Sequence, residues 1–198
     1  MKKSLLVLLL LSSITAVCAT ELTKVDYKQE LKERGYLFGC TPVNWSVTEP
    51  VRGGFNYAAM NGEVDIMELE VKAGLDIKQC GKNLPLILIQ KHQYEALDFI
   101  LKNGYSANHT IMNIPLLSFA SQYKDPEIAK ILIDNGADVS IQTTSLDYYP
   151  LNFAILRKQP EIVEILVKAG AKPNTKTKKL VDKTKNEEIK KVFENVEL

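Results

Sequence analysis

The chain has 198 residues, 45% of them hydrophobic and 25% charged, with a formal net charge of +1. Those values exclude gross disorder and leave room for one compact domain or one short repeat array. Near-neutrality argues against a dedicated nucleic-acid binder, whose affinity for phosphate depends on basic charge.

The first residues read as an export signal. Lys2 and Lys3 precede an unbroken apolar run from Leu5 to Leu11, extended by Ile14, Ala16 and Val17. Val17-Cys18-Ala19 then places short residues before Thr20, which predicts a secretory signal over 1–19 cleaved after Ala19. The apolar stretch is short for a membrane span of roughly 20 residues. The alternatives are an uncleaved anchor, or a lipoprotein site at Cys18 that Thr15 and Val17 disfavour. A signal of this brief, Leu-dense style suggests a Gram-negative bacterium. The mature chain is then expected in the periplasm or secreted, with no membrane span of its own. Without the leader lysines it carries 23 basic and 24 acidic residues.

Cys40 and Cys80 remain after cleavage. In an oxidising compartment such a pair forms a disulfide. Closing a loop of about 40 residues would contribute about 3–4 kcal/mol in the chain-entropy picture. The other reading is two reduced, buried thiols.

Residues 20–52 read as an N-terminal cap. Asp26 to Arg34 can form a helix that ends at Gly35. Thr41 to Val51 reads as an extended loop bearing Trp45.

From residue 53 the sequence repeats. LEVKAGLDIK, FILKNGYSAN, ILIDNGADVS and ILVKAGAKPN align on Gly74, Gly104, Gly136 and Gly170. Upstream of each glycine, apolar residues fall at i, i+3, i+4 spacing, as in Leu97, Ile100 and Leu101 or Ile128, Ile131 and Leu132. The first unit has Ile66, Leu69, Glu70 and Val71 there. A left-handed glycine ends each helix. About twenty residues earlier stand Pro85, Pro115 and Pro150, with Gly53-Gly54 in the first unit. Proline suits a helix's first turn. Counted from proline to glycine, the second unit is one residue short and the third one long. The sequence reading places both changes in the turn between helices, around His92 and around Lys124.

This pattern resembles the ankyrin-repeat family. The residues that carry it are Pro-Glu-Ile-Ala-Lys-Ile-Leu-Ile-Asp-Asn-Gly-Ala-Asp-Val at 126–139 and Pro-Glu-Ile-Val-Glu-Ile-Leu-Val-Lys-Ala-Gly-Ala at 160–171. Ala58-Ala59-Met60-Asn61-Gly62 adds a small-residue first helix. The family's Thr-Pro-Leu-His tetrad is missing: Asn56, Ile87, Leu117 and Asn152 stand at its His position. The resemblance implies an all-α solenoid of stacked helix–turn–helix units with projecting loops or β-hairpins, and an exported bacterial member. Four repeats occupy 53–174. Residues 175–198 form a C-terminal capping half-repeat, with Leu180, Val181, Ile189, Val192 and Phe193 covering the fourth unit. Eight lysines between Lys172 and Lys191 give this cap a polar outer face.

No catalytic set is present. His92 and His109 are the only histidines, and neither pairs with ligand-forming residues at metal spacing. No P-loop, Gly-x-Ser-x-Gly or dinucleotide-binding glycine pattern occurs. No enzyme activity, cofactor or metal is expected.

The resemblance implies a protein-binding module, acting as a monomer or in a 1:1 complex. The longest connection runs from Gly136 to Pro150, 14 residues against 11 after Gly74 and Gly104. It carries Gln142, Thr143, Thr144, Asp147, Tyr148 and Tyr149, and tyrosine suits binding hot spots. His109 and Asn113 occupy the same place in the preceding loop. These residues are the expected partner-binding set. The roles considered are an inhibitor, a scaffold, or an immunity protein against a periplasm-acting toxin. The alternatives are a secreted effector of host proteins, or a thiol-dependent enzyme using Cys40 or Cys80.

Overall fold

The computed structural model describes residues 26–40, 53–141, 149–194 and 196. The export signal, the Trp45 loop and most of the long third connection lie outside the described residues.

Eleven α-helices are present among the described residues. The first, α1 (Tyr27–Glu33), stands alone. Then come four pairs: α2 (Phe55–Asn61) and α3 (Val64–Lys72), α4 (Leu84–Gln90) and α5 (Tyr94–Lys102), α6 (Leu116–Tyr123) and α7 (Pro126–Asp134), α8 (Pro150–Leu156) and α9 (Pro160–Lys168). Thr175–Lys183 (α10) and Glu187–Val192 (α11) follow. A two-stranded antiparallel hairpin joins the second and third pairs, β1 (Thr110–Ile111) against β2 (Ile114–Pro115).

The helices stack in two layers. First helices pack on first helices, in the order α2, α4, α6, α8, α10. Second helices pack on second helices, in the order α1, α3, α5, α7, α9, α11. The lone α1 therefore occupies a second-helix place. Units this short cannot bury an apolar face alone, so each borrows its neighbour's. The shared core contains Ile66, Leu97, Ile100, Ile128, Leu132, Ile162 and Leu166, all essentially inaccessible. Burying one such side chain contributes about 1.5–3 kcal/mol.

The second helix of each of the four pairs stops in the same way. Gly74, Gly104, Gly136 and Gly170 have φ of 95°, 119°, 83° and 92°. The next N–H reaches back to a carbonyl five residues earlier: Leu75 to Glu70 at 3.0 Å, Tyr105 to Ile100 at 3.0 Å, Ala137 to Leu132 at 2.9 Å and Ala171 to Leu166 at 2.9 Å. This is the Schellman closure, which satisfies orphan carbonyls at a helix end. α1 ends identically, with Gly35 at φ 81° and Tyr36 N–H donating to Leu31 O at 2.9 Å.

The turns inside the units correct the sequence reading. Gly62, His92, Lys124 and Lys158 all have left-handed φ, between 53° and 72°. The following N–H closes each turn: Glu63 to Ala58 O, Gln93 to Leu88 O, Asp125 to Ala120 O and Gln159 to Ala154 O, all at 2.9–3.1 Å. All four turns share one register, so no residue is inserted or lost there. The offset lies at the helix start. Pro85 is the second residue of α4, Pro115 immediately precedes α6, and Pro150 is the first residue of α8. Proline tolerates all three positions, because none of them requires its N–H.

Candidate interaction surface

The first helices form one layer of the stack, and the hairpin leads directly into the first of the third pair, α6. α2, α4, α6 and α8 contain no charged residue. Their half-exposed or exposed positions carry Tyr57, Met60, Ile87, Phe153 and Leu156. Cations begin where these helices end, at Lys91, Lys124, Arg157 and Lys158, all exposed. Gln90 donates to the Tyr123 hydroxyl at 2.8 Å, linking the second unit to the third across this face.

Two cavities open between units. The larger, about 490 Å³, lies between the first and second units and is lined by Asn56, Met60, Lys82, Leu84, Ile87 and Lys91, with Cys80 at its edge. The other, about 270 Å³, is lined by Val139, Ser140, Tyr149, Leu151, Pro173 and Asn174.

Of the expected partner-binding residues, Thr143, Thr144, Asp147 and Tyr148 lie outside the described residues, as does Gln142. Tyr149 is half-buried and caps α8, its carbonyl accepting from Asn152 and Phe153 N–H. It thus walls the smaller cavity. His109 sits at the base of the hairpin, where its carbonyl accepts from Leu116 N–H at 3.1 Å. Its Nε2 is buried and has no partner among the described residues. Asn113 is exposed in the hairpin turn at φ 62°, beside Met112 at φ 51°. Two successive left-handed residues make the primed turn that matches strand twist. The structure therefore brings His109 and Asn113 into one hairpin, and holds Tyr149 against a different pair of units.

Sequence reasoning missed Met112. Its side chain is 80% exposed at the hairpin tip. The signal was the short Thr-Ile-Met-Asn-Ile-Pro stretch, two extended dipeptides about a two-residue turn. Asn108, beside His109 in the same connection, ties the stack together. Its amide donates to Gly136 O at 3.1 Å and its Oδ1 accepts from Asp138 N–H at 2.7 Å. One side chain thus ties two successive exits together.

The first unit departs from the others at one buried place. Four residues before the stop stand Ile100, Leu132 and Leu166, but also Glu70. Glu70 is fully buried, and burial pushes its carboxyl up to about 7 despite a bond from Gly39 N–H. That bond is 2.9 Å long, and Gly39 O in turn accepts from Phe55 N–H at 3.0 Å. A Cβ on Gly54 would stand 2.1 Å from Gly39 O, so only glycine admits this approach. Glu70 therefore serves as an anchor for residues 37–40. Cys40 and Cys80 come within disulfide reach at the same junction, their Cα atoms 4.7 Å apart.

A polar cluster joins the second and third units. Asp125 Oδ2 accepts from the Tyr94 hydroxyl at 3.0 Å and lies 2.5 Å from His92 Nδ1. Its Oδ1 caps α7 through the N–H groups of Glu127 and Ile128. Burial pushes the Asp125 carboxyl up, but His92, the Ile128 N–H and Tyr94 together outweigh it and hold it below the usual range. With all acceptors occupied, the cluster is a staple between units. Among the described residues no three His, Cys, Asp or Glu side chains converge as a metal site. No helix among them is long and apolar enough to cross a membrane.

The comparisons agree with this geometry. The family described as ankyrin repeats matches residues 87–177 in three copies. The match spans the second, third and fourth units and the start of α10. No curated protein matches the chain.

Proposed function

From the premise that the chain belongs to the ankyrin-repeat family, and so is a protein-interaction module, we propose that it is an exported binding protein. It works in the periplasm or beyond it, and occludes or scaffolds one partner protein without chemistry of its own. Protection against a toxin acting in that compartment is one use that fits. The leader-like residues 1–19 support the location. A Cys40–Cys80 disulfide, supported by the 4.7 Å Cα separation, fits an oxidising compartment.

One observation carries the binding role: the stack presents a whole layer of first helices whose accessible positions are apolar or amide rather than charged. Such a layer is suited to desolvation by a partner, where aromatic and apolar anchors supply most of the energy.

The test is capture from periplasmic extract, followed by reconstitution with the purified captured protein. We expect one stoichiometric partner. Tyr148→Ala/Tyr149→Ala is expected to weaken the reconstituted complex at least tenfold. Failure to reconstitute any complex would remove the binding role; unchanged affinity in the double variant would remove only the long connection from it.

A further inference from the structure

We infer that the cavity between the first and second units receives an acidic segment of the protein partner, with one apolar side chain entering between flanking carboxylates. This rests on the protein-binding role above and adds a place and a chemistry.

Met60, Leu84 and Ile87 give an apolar interior, and no carboxylate lines the cavity. About 490 Å³ is ample for a leucine-sized side chain with its backbone. Asn56 Oδ1 is buried in this wall without a partner among the described residues. A buried acceptor of this kind costs free energy until a donor arrives. A turn of the Asn56 side chain toward the cavity would offer this oxygen to the backbone N–H of an extended segment. The rim is preformed, since the Tyr105 hydroxyl donates to Gly81 O at 3.0 Å.

Lys82 and Lys91 are exposed on the lining and have no ion pair among the described residues. The described ion pairs all lie on α1, the second helices, or the turns before them. The asymmetry extends along the stack. α3, α5, α7 and α9 together hold nine acids and four lysines. α2, α4, α6 and α8 hold none of either, and their C-terminal ends are followed by Lys91, Lys124, Arg157 and Lys158. An acidic segment is therefore drawn to the first-helix side and repelled from the other. Charges closer to the rim than the Debye length, roughly 8 Å at physiological salt, are only partly screened. A nucleic-acid backbone could use the amines, but it has nothing to place on the apolar floor.

The test is a titration of the ¹⁵N-labelled protein with the capped peptide Asp-Glu-Leu-Glu-Asp, read by amide chemical shifts. The controls are the same peptide with Ser for Leu, a Lys-for-acid version, and an oligothymidylate of equal charge. We expect saturable shifts at the Asn56 side chain and at Gly81, Lys82 and Lys91. Affinity should fall at least tenfold with the Ser peptide and with Lys82→Glu/Lys91→Glu, and should vanish with the Lys peptide. Because both lysines are exposed, the variant's remaining spectrum reports that it folds. The inference is overturned if these resonances do not move, if the Ser peptide binds equally, or if the oligothymidylate binds as tightly. A partner that reconstitutes with equal affinity on Lys82→Glu/Lys91→Glu would leave the binding role standing and remove this site.

Discussion

The two helix layers come from the same repeat and are built for different surroundings. The second helices carry their own counter-ions. Glu68 pairs with Lys72, Asp98 with Lys102, Glu127 with Lys130 and Glu164 with Lys168, each three or four residues apart. Their apolar row is sealed and their exits are identical. The first helices lack charge, and small residues such as Ala58, Ala59, Ala120 and Ala154 let their backbones approach closely. One layer is finished in water; the other still offers apolar area, an amide oxygen and amines without an ion pair among the described residues. Both layers hold the stack, with Leu88, Leu116 and Leu151 buried in the first helices as Leu97, Leu132 and Leu166 are in the second, so the difference lies in what each accessible face offers.

The sharpest way to break this contrast is to truncate one leucine in each layer. Leu132 is fully buried in α7, whereas Leu156 in α8 is 47% exposed. Leu132→Ala should cost about 2–5 kcal/mol, the range for deleting a packed leucine without collapse of the site. Leu156→Ala should stay within about 0.5 kcal/mol. Urea unfolding of both variants checks the pair. Equal losses would mean that the first-helix face is packed in a way the exposures deny.

The next largest effect is expected at Glu70, where the buried row itself is interrupted. The folded carboxyl titrates near 7 against an ordinary value of 4.5. Between those values the folded chain keeps a proton that the unfolded chain has lost. Stability should therefore fall as pH rises from about 4.5 to about 7 and level off above, by up to about 3 kcal/mol. Glu70→Gln keeps an acceptor for Gly39 N–H and cannot ionise, so its profile should lose that slope. Parallel profiles for the two proteins across this window would show that Glu70 titrates normally.

How much of this was legible in the sequence follows from what each feature demands of its residues. The exits could be read because a left-handed stop favours glycine, and the buried rows because helices repeat every 3.6 residues. The ends of α3, α5, α7 and α9 were located that way. The internal turns were misread because His92, Lys124 and Lys158 adopt left-handed φ without a glycine to announce it. Proline then misled as a marker, since a helix start accepts it at several positions. Glu70 was read as part of an apolar stripe; only its contact with Gly39 reveals what it anchors. Residues 30 or more apart in sequence meet in the His92, Tyr94 and Asp125 cluster, and no local pattern foretells such a meeting. On the candidate surface, Tyr149, His109 and Asn113 could be named from sequence, but the cavity lined by Cys80 needs the stacked units to exist.

A smaller effect is expected at the stop glycines. Gly136 stands at φ 83°, and an added Cβ would meet nothing within 4 Å. Space is therefore no obstacle in Gly136→Ala, and the backbone alone bears the cost. A left-handed alanine should lose about 1–2 kcal/mol. Thermal unfolding should place this variant between Leu132→Ala and the surface variants. A loss as large as that of Leu132→Ala would mean that the Asn108 bridge to Gly136 O also breaks.

The smallest stability effects sharpen the comparison best, because the layers should part in function while agreeing in stability. Glu164→Gln removes one member of an exposed pair on α9. Such pairs contribute about 0.3–0.5 kcal/mol. Lys91→Glu removes a cation that has no ion pair among the described residues, so it should change stability by less than about 0.5 kcal/mol. Both variants should therefore unfold near the parent. Their affinities for the partner should diverge. Reversing Lys91 places a like charge against an acidic segment, which slows association and steepens the loss at low salt. Glu164 faces away from the cavity, so its neutralisation leaves the association rate nearly unchanged. Measuring both rates at two salt concentrations decides the matter. A salt-dependent loss confined to Lys91→Glu assigns recognition to the first-helix layer, while equal responses from the two variants would dissolve the division between the layers.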